Sequence, residues 1–361
     1  MKTVILSRLA ACAFVALMMS GCAPAPRQPD RTWTSPPASV TDPETGIAYR
    51  KEKVFIRSGA DDIASILLLP MGKGPFNAVV YINGSQAGLA SPEAPLMRKL
   101  VTGGTVVLLL GKKGVGASGG RWESETFADR AANVQAALDW MAARPEVDPA
   151  RIGMLGHSQG AYIATLVAAN GKGAAYAILS APSSQQVRDQ IATDYVYRRM
   201  RDEALAPAQA RAAGERYMLL LDTAMAACPL VRVHYLCGIY RYDPLPALER
   251  VRIPVLALFG ERDTMVPPAE NVERLRAGLA RSGVPHTIKV FAQANHQFWK
   301  SVRGTASEQA ELGKPGPVSF AHAEPGNALH EHARMLRANR VEYADGYFDT
   351  VLGFVRANGA L

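Results

Sequence analysis

Eight short apolar runs, separated by stretches with helical periodicity, limit what this chain can fold into more than any other feature. They fall at 54–58, 65–70, 78–84, 105–111, 151–157, 176–181, 255–261 and 287–292. Most are apolar at every position rather than at every second one. Strands buried on both faces read this way, as in parallel sheets covered by helices. Helices are predicted at 92–102, 126–143, 159–170 and 268–282, with a last one near 344–357. Such alternation predicts an α/β fold with a mostly parallel sheet. Two segments break the rhythm. Residues 183–246, after the sixth run, carry charged, alanine-rich stretches that read as two or three amphipathic helices. Residues 300–340, rich in Gly, Pro and His, read as a long loop with a short helix.

The fifth run leads into RIGMLGHSQGAYIA, residues 151–164. Strand, G-x-S-x-G, helix is the pattern of a nucleophile elbow, in which a serine sits strained on a tight turn above the carboxyl end of the sheet. Side chains at Gly156 and Gly160 would collide with the neighbouring strand and helix. The helix starting at Gln159 aims its N-terminal N–H groups at the spot where negative charge develops. The five-residue pattern alone is weak. The apolar strand before it and the small-residue helix after it are the context it requires.

A serine hydroxyl needs a base to take its proton and a carboxylate to orient that base. For this kind of turn the chain order is serine, acid, histidine. Asp263 follows one apolar run, and His296 follows the next. Both therefore emerge at the edge that carries Ser158. Glu261 and Asp243 compete as the acid, and the MVPP after Asp263 forces a loop at the right place. Among the other histidines, His157 points away from the serine and His234 lies in the inserted segment. His286 is at the wrong end of its run, and His322, His330 and His332 fall in the late loop. The tetrahedral oxyanion needs two N–H donors, assigned to Gln159 and Ser85, with Gln86 the competitor for Ser85. The plainer reading of Asn83-Gly84 is a turn. Gly114, Gly116 and Gly119 spell G-x-G-x-x-G, but no helix opens there and no acid stands where a ribose ligand would. These glycines are read as shaping a loop beside the site. Tyr195, Tyr197, Tyr235, Tyr240, Tyr242, Trp122 and Trp299 are candidates for an acyl pocket, although packing is the commoner use of such residues.

Together these residues resemble the α/β-hydrolase superfamily over roughly 51–361. DPARIGMLGHSQG, GKKGVGASGG and RYDPLPALERVRIPVLALFGERDTMVPPAEN are similar to bacterial hydrolases related to prolyl-oligopeptidase-like peptidases and acyl thioesterases. The resemblance implies an eight-stranded sheet, a helical cap over about 183–246 and a serine hydrolase mechanism. Relatives often carry His-Gly where this chain has Asn83-Gly84, and Asp-Lys-Arg-Gly where it has Gly111-Lys112-Lys113-Gly114. Neither departure touches the triad, and both bear on substrate choice. The expected activity is carboxylic ester hydrolysis on a small-molecule substrate, with no metal or organic cofactor. Peptidase or thioesterase activity is the alternative, and a non-catalytic binding scaffold is the reading from another class.

The N-terminus carries Lys2, Arg8 and an apolar run from Leu9 to Met19, too short to span a bilayer comfortably. It reads as a signal peptide over 1–21. MSGC resembles a bacterial lipobox, which makes Cys22 the lipidated first residue of an exported, membrane-anchored protein. By bacterial sorting patterns Ala23 then points to the outer membrane, facing the periplasm, in a cell that has two. Residues 22–50, rich in Pro, Ser and Thr, read as an unstructured tether. Cys228 and Cys237, nine residues apart, are expected to pair in an oxidising compartment. The net charge of +8 is spread along the chain, without basic runs interleaved with aromatics, so no nucleic-acid partner is expected.

Overall fold

The computed structural model describes residues 26–228, 235–305, 308, 310 and 341–359. The expected signal peptide at 1–21, Cys22, His234, His322, His330 and His332 lie outside the described residues. The strands are β1 (Ser35–Thr41), β2 (Ala48–Ser58), β3 (Asp61–Pro70), β4 (Phe76–Ile82), β5 (Val106–Leu110), β6 (Val147–His157), β7 (Tyr176–Ser180), β8 (Val255–Gly260) and β9 (His286–Phe291). They form one nine-stranded sheet in the order β1-β2-β3-β5-β4-β6-β7-β8-β9. β1 to β3 pair antiparallel, as do β3 and β5, and the remaining pairs are parallel.

In chain order the helices are α1 (Pro95–Thr102), α2 (Phe127–Ala142), α3 (Gln159–Asn170), α4 (Val187–Asp202), α5 (Pro207–Ala226), α6 (Leu245–Leu248), α7 (Pro268–Ser282) and α8 (Tyr347–Gly359). Successive strand residues point to opposite faces, and both faces are covered. Val80, Leu108, Met154 and Leu179 pack under α2, α3, α6 and α7. Their neighbours Val79, Leu109, Leu155 and Ile178 pack under α1 and α8. That double burial is why the runs are apolar throughout. Local signals set the helix ends. Thr126 accepts the Asp129 N–H while Asp129 accepts the Thr126 N–H, a reciprocal cap for α2. α7 begins at Pro268 and stops at Gly283, whose φ of 73° suits glycine.

The sheet has one strand more than the eight expected. β1 comes from the segment read as a loose tether, so that reading is corrected: from Pro26 onward the segment is folded onto the domain. Its sequence, SPPASVT, is almost wholly exposed and carries no apolar alternation. Backbone bonds to β2 hold it, with a register irregularity between Ser35 and Ala38 where the prolines fall. Upstream, Arg27 and Gly120 exchange N–H···O bonds of 3.1 and 2.7 Å, and the Asp30 N–H donates to Ala117 O at 2.9 Å. Asp42 forms a buried ion pair with Arg98 of α1.

The insertion between β7 and β8 is helical, as expected. α4 and α5 are joined by the Arg188–Asp222 ion pair at 2.7 Å and by Tyr195 stacked on Tyr217. Cys228 and Cys237 are disulfide-bonded, their Cα atoms 5.4 Å apart. Gln190 of α4 donates to Met265 O in the loop after β8, which seats the cap on the carboxyl edge of the sheet.

Candidate active site

The chain order of the strands reverses at β4. After β4 it steps to β5 on one side, and β6 then starts the march in the other direction. Ligands of open α/β sheets bind in the crevice at such a reversal, outside the carboxyl ends. Here the crevice lies between the loop after β4, starting at Asn83, and the turn after β6, at Ser158.

Ser158 has φ 54° and ψ −120°, a conformation that side chains rarely adopt. The glycines around it are required by contact. A Cβ on Gly156 would run into Gly160 O, and one on Gly160 would run into Ile82 O of β4. The Ser158 N–H donates to Ser180 O at 2.8 Å, tying the turn to β7.

Asp263 and His296 meet. The His296 Nδ1–H donates to Asp263 Oδ2 at 2.7 Å, and both side chains are buried. Asp263 Oδ1 accepts from the Met265 and Val266 N–H groups at 2.8 and 2.9 Å. The carboxylate is therefore fixed from both oxygens. A carboxylate only accepts, so Nδ1 carries the proton and Nε2 is left as the base. The competing acids are engaged elsewhere. Glu261 accepts from the Gln293 N–H, and Asp243 pairs with Arg274 at 2.8 Å. Burial pulls the His296 pKa down, but the charge and hydrogen bond of Asp263, with Asp194 of α4 adding its field, hold it above the usual histidine value.

The His157 ring centroid lies 5.0 Å from that of His296. It turns away from the serine, as expected, with Nδ1 3.1 Å from Ser180 Oγ and Nε2 3.3 Å from Gln297 Nε2. Burial pushes its pKa down to about 3, so it stays neutral beside His296. Among the described residues the Ser158 hydroxyl makes no hydrogen bond, to His296 or to any other group. In triads of this kind the serine–histidine bond is often long or misaligned until substrate tightens it.

The loop after β4 presses on the serine: a Cβ placed on Gly84 would be 3.3 Å from Ser158 Cβ and 3.8 Å from its Oγ. Asn83 does build a turn, accepting the Gly84 N–H and donating to Gly88 O at 2.6 Å. The N–H groups of Ser85 and Gln86 have no acceptor among the described residues. Beneath the loop sit groups the sequence reading missed. Lys112 Nζ donates to Gly84 O and, at 2.6 Å, to Gln86 O. Arg130 of α2 donates to Gln159 Oε1. Glu125 lies 3.6 Å from Lys113 and accepts from Asn133 at 2.7 Å. A lysine in a glycine-rich loop gives no sign in the sequence that its amine folds inward.

Of the aromatic candidates, Trp122 stands beside Lys112, whose Nζ is 5.4 Å from its ring, and Tyr235 packs against it at 5.3 Å. Tyr240 donates to Asp222, Tyr197 to Glu270, and Tyr242 packs edge-on against Phe127, so these serve the cap and core. Among the described residues no group of three or more His, Cys, Asp or Glu side chains is placed to hold a metal ion.

A family model described as the prolyl oligopeptidase family matches residues 99–313, more than half of the 361. The chain belongs to the prolyl oligopeptidase family. The nine-stranded sheet and the turn at Ser158 have the form of an α/β-hydrolase fold. Two uncharacterized proteins from two strains of Mycobacterium tuberculosis are 32% identical to it over 212 residues. That alignment takes in 58% of this chain and 59% of each relative, so this prolyl-oligopeptidase-family chain spans under two thirds of their length. Among solved structures, a puromycin-hydrolyzing peptidase of M. tuberculosis superposes with a TM-score of 0.54 at 17% identity, over 93% of this chain and 45% of that one. A Pyrococcus furiosus esterase gives 0.47 at 17% identity, over 81% and 95%.

Proposed function

We propose that the chain hydrolyses carboxylic esters through an acyl-enzyme on Ser158. His296 Nε2 takes the serine proton as Oγ attacks the carbonyl carbon. The carbonyl π electrons move onto oxygen, and the N–H groups of Gln159 and Ser85 receive that charge. Asp263 keeps the imidazole in its Nδ1–H tautomer and stabilises the imidazolium. The proton on Nε2 passes to the departing alcohol, and water releases the acid by the same steps. The observation that carries this reading is the buried, doubly anchored Asp263–His296 pair at the sheet edge where Ser158 is held in its strained turn.

Esters are the class this machinery accepts whichever way its finer preference falls. A serine that can be acylated by an amide is acylated more readily by the matching ester, whose carbonyl is more electrophilic and whose leaving group is better. Family membership favours amide cleavage as a second activity. Comparing p-nitrophenyl esters with aminoacyl p-nitroanilides separates the two. Ester turnover that Ser158→Ala abolishes supports the proposal; anilide cleavage without ester turnover defeats it.

The localisation proposed is a membrane surface, through lipid on Cys22. Arg27 is bonded to Gly120, at the carboxyl edge of the sheet. Cys22 precedes it by five residues, which span at most about 18 Å when extended. An anchor there keeps the active-site edge beside the bilayer instead of on a long leash. The wild type is expected in the membrane fraction and Cys22→Ser in the soluble fraction; equal partitioning of the two contradicts the anchor.

A further inference from the structure

The oxyanion donor at Ser85 depends on which way one peptide unit faces, and the structure shows what turns it. In a planar trans peptide the C=O and the following N–H point in opposite directions. The C=O of Gly84 and the N–H of Ser85 belong to one such unit. Gly84 O is held by Lys112 Nζ from the buried side of the loop. The Ser85 N–H is thus turned the other way, on the residue next to the glycine that touches Ser158. The second bond from the same amine, to Gln86 O, fixes the next turn of the chain, so a single side chain grips the loop at two points. Neither carbonyl belongs to a strand or helix, and Ser85, Gln86 and Ala87 are exposed. Asn83 also braces the loop, at the Gly84 N–H and Gly88 O, but neither of those bonds engages the peptide unit between Gly84 and Ser85. A rotated unit would present a carbonyl oxygen to the developing negative charge.

We propose that Lys112 is a positioning residue for the oxyanion site: its amine, holding Gly84 O and Gln86 O, keeps the Ser85 N–H aimed at the oxygen that becomes charged. The inference rests on the hydrolase reading above. The lysine is 5% exposed, and such an ionisable group costs stability unless it is engaged. Burial and, after it, the charge of Arg130 pull its pKa down to about 7, with Glu125 opposing. The grip survives loss of the proton, because the neutral amine keeps two N–H bonds for two carbonyls. Arg130, beneath the same loop, donates to the side chain of Gln159 and does not engage its backbone.

The test is Lys112→Met, which keeps the length and apolar stem and removes the donors. Losing one oxyanion donor costs roughly 10²–10³ in kcat. K112M is expected to lose at least about tenfold in kcat on a p-nitrophenyl ester, with KM within about threefold. Affinity for a trifluoromethyl ketone, whose adduct with Ser158 carries the oxyanion, should fall by the same factor as kcat. Affinity for the carboxylic acid product should stay. A purely structural role would lower melting temperature, KM and product affinity together. Where K112M does not melt cooperatively, Lys112→Ala assayed with added ethylammonium gives the same reading. Activity restored by ethylammonium and not by tetramethylammonium supports the grip, and no restoration opposes it. Ser158→Ala is run alongside. An inactive S158A with a fully active K112M overturns this inference alone, whereas a turnover that survives in S158A overturns the hydrolase reading itself.

Discussion

His296 titrates in the field of two carboxylates, Asp263 in contact and Asp194 across the cap, and this sets the acid side of the pH profile. The base must be neutral, so kcat/KM falls as pH drops through the His296 pKa, which is held above the ordinary histidine value. Asp194 stabilises the imidazolium; Asp194→Asn therefore lowers that pKa and shifts the acid limb to lower pH while turnover at neutral pH persists. An unmoved or rising limb would show that Asp194 does not act on His296. His157 has been pushed far below neutrality and adds no inflection there. Ser158, Asp263 and His296 were legible in the sequence because each follows an apolar run within a few residues, where position limits which way a side chain can emerge. Lys112, Arg130 and Asp194 were not, since their roles arise from side chains folding inward from a loop or from a neighbouring helix.

The strand–turn–helix unit at Ser158 is as much a packing solution as a chemical one. Gly160→Ala would drive a methyl group into Ile82 O, a backbone atom that cannot swing aside. The expected cost is about 1–3 kcal/mol, with a fall in kcat as the serine shifts. Unchanged melting and unchanged turnover would show that α3 can back away from β4. At the start of α2, Thr126→Ala removes one half of a reciprocal cap and should cost about 1 kcal/mol, read by denaturant unfolding, with catalysis intact. The eight apolar runs became β2 to β9, and the capped or proline-started helices appeared where composition placed them. β1 escaped because its pairing uses main-chain groups, which every sequence carries; two prolines and four polar or small residues leave Val40 as its single core-packed apolar side chain, too little for an apolar pattern.

For the molecule as a whole, the folded N-terminal segment moves the domain boundary. Asp42 reaches the buried Arg98, and β1 covers the edge of β2. A chain starting at residue 51 would strand Arg98 without Asp42, and breaking a buried pair by removing one partner costs about 3–5 kcal/mol. It would also bare a strand edge, which invites association. A chain starting at residue 26 keeps both and should melt like the full chain. Equal melting temperatures for the two truncations would return the segment to the status of a tether. Folding from Arg27 onward also sets that residue against Gly120, so the proposed lipid on Cys22 would sit five residues from a loop at the sheet edge that carries Ser158. The central claim is that Ser158 is made reactive by His296 across that edge. Labelling with a fluorophosphonate, followed by mass mapping of the adduct, tests this most directly. The account predicts one adduct per chain, on Ser158, and its loss in His296→Ala. An adduct on another residue, or none in a protein that melts cooperatively, would contradict it.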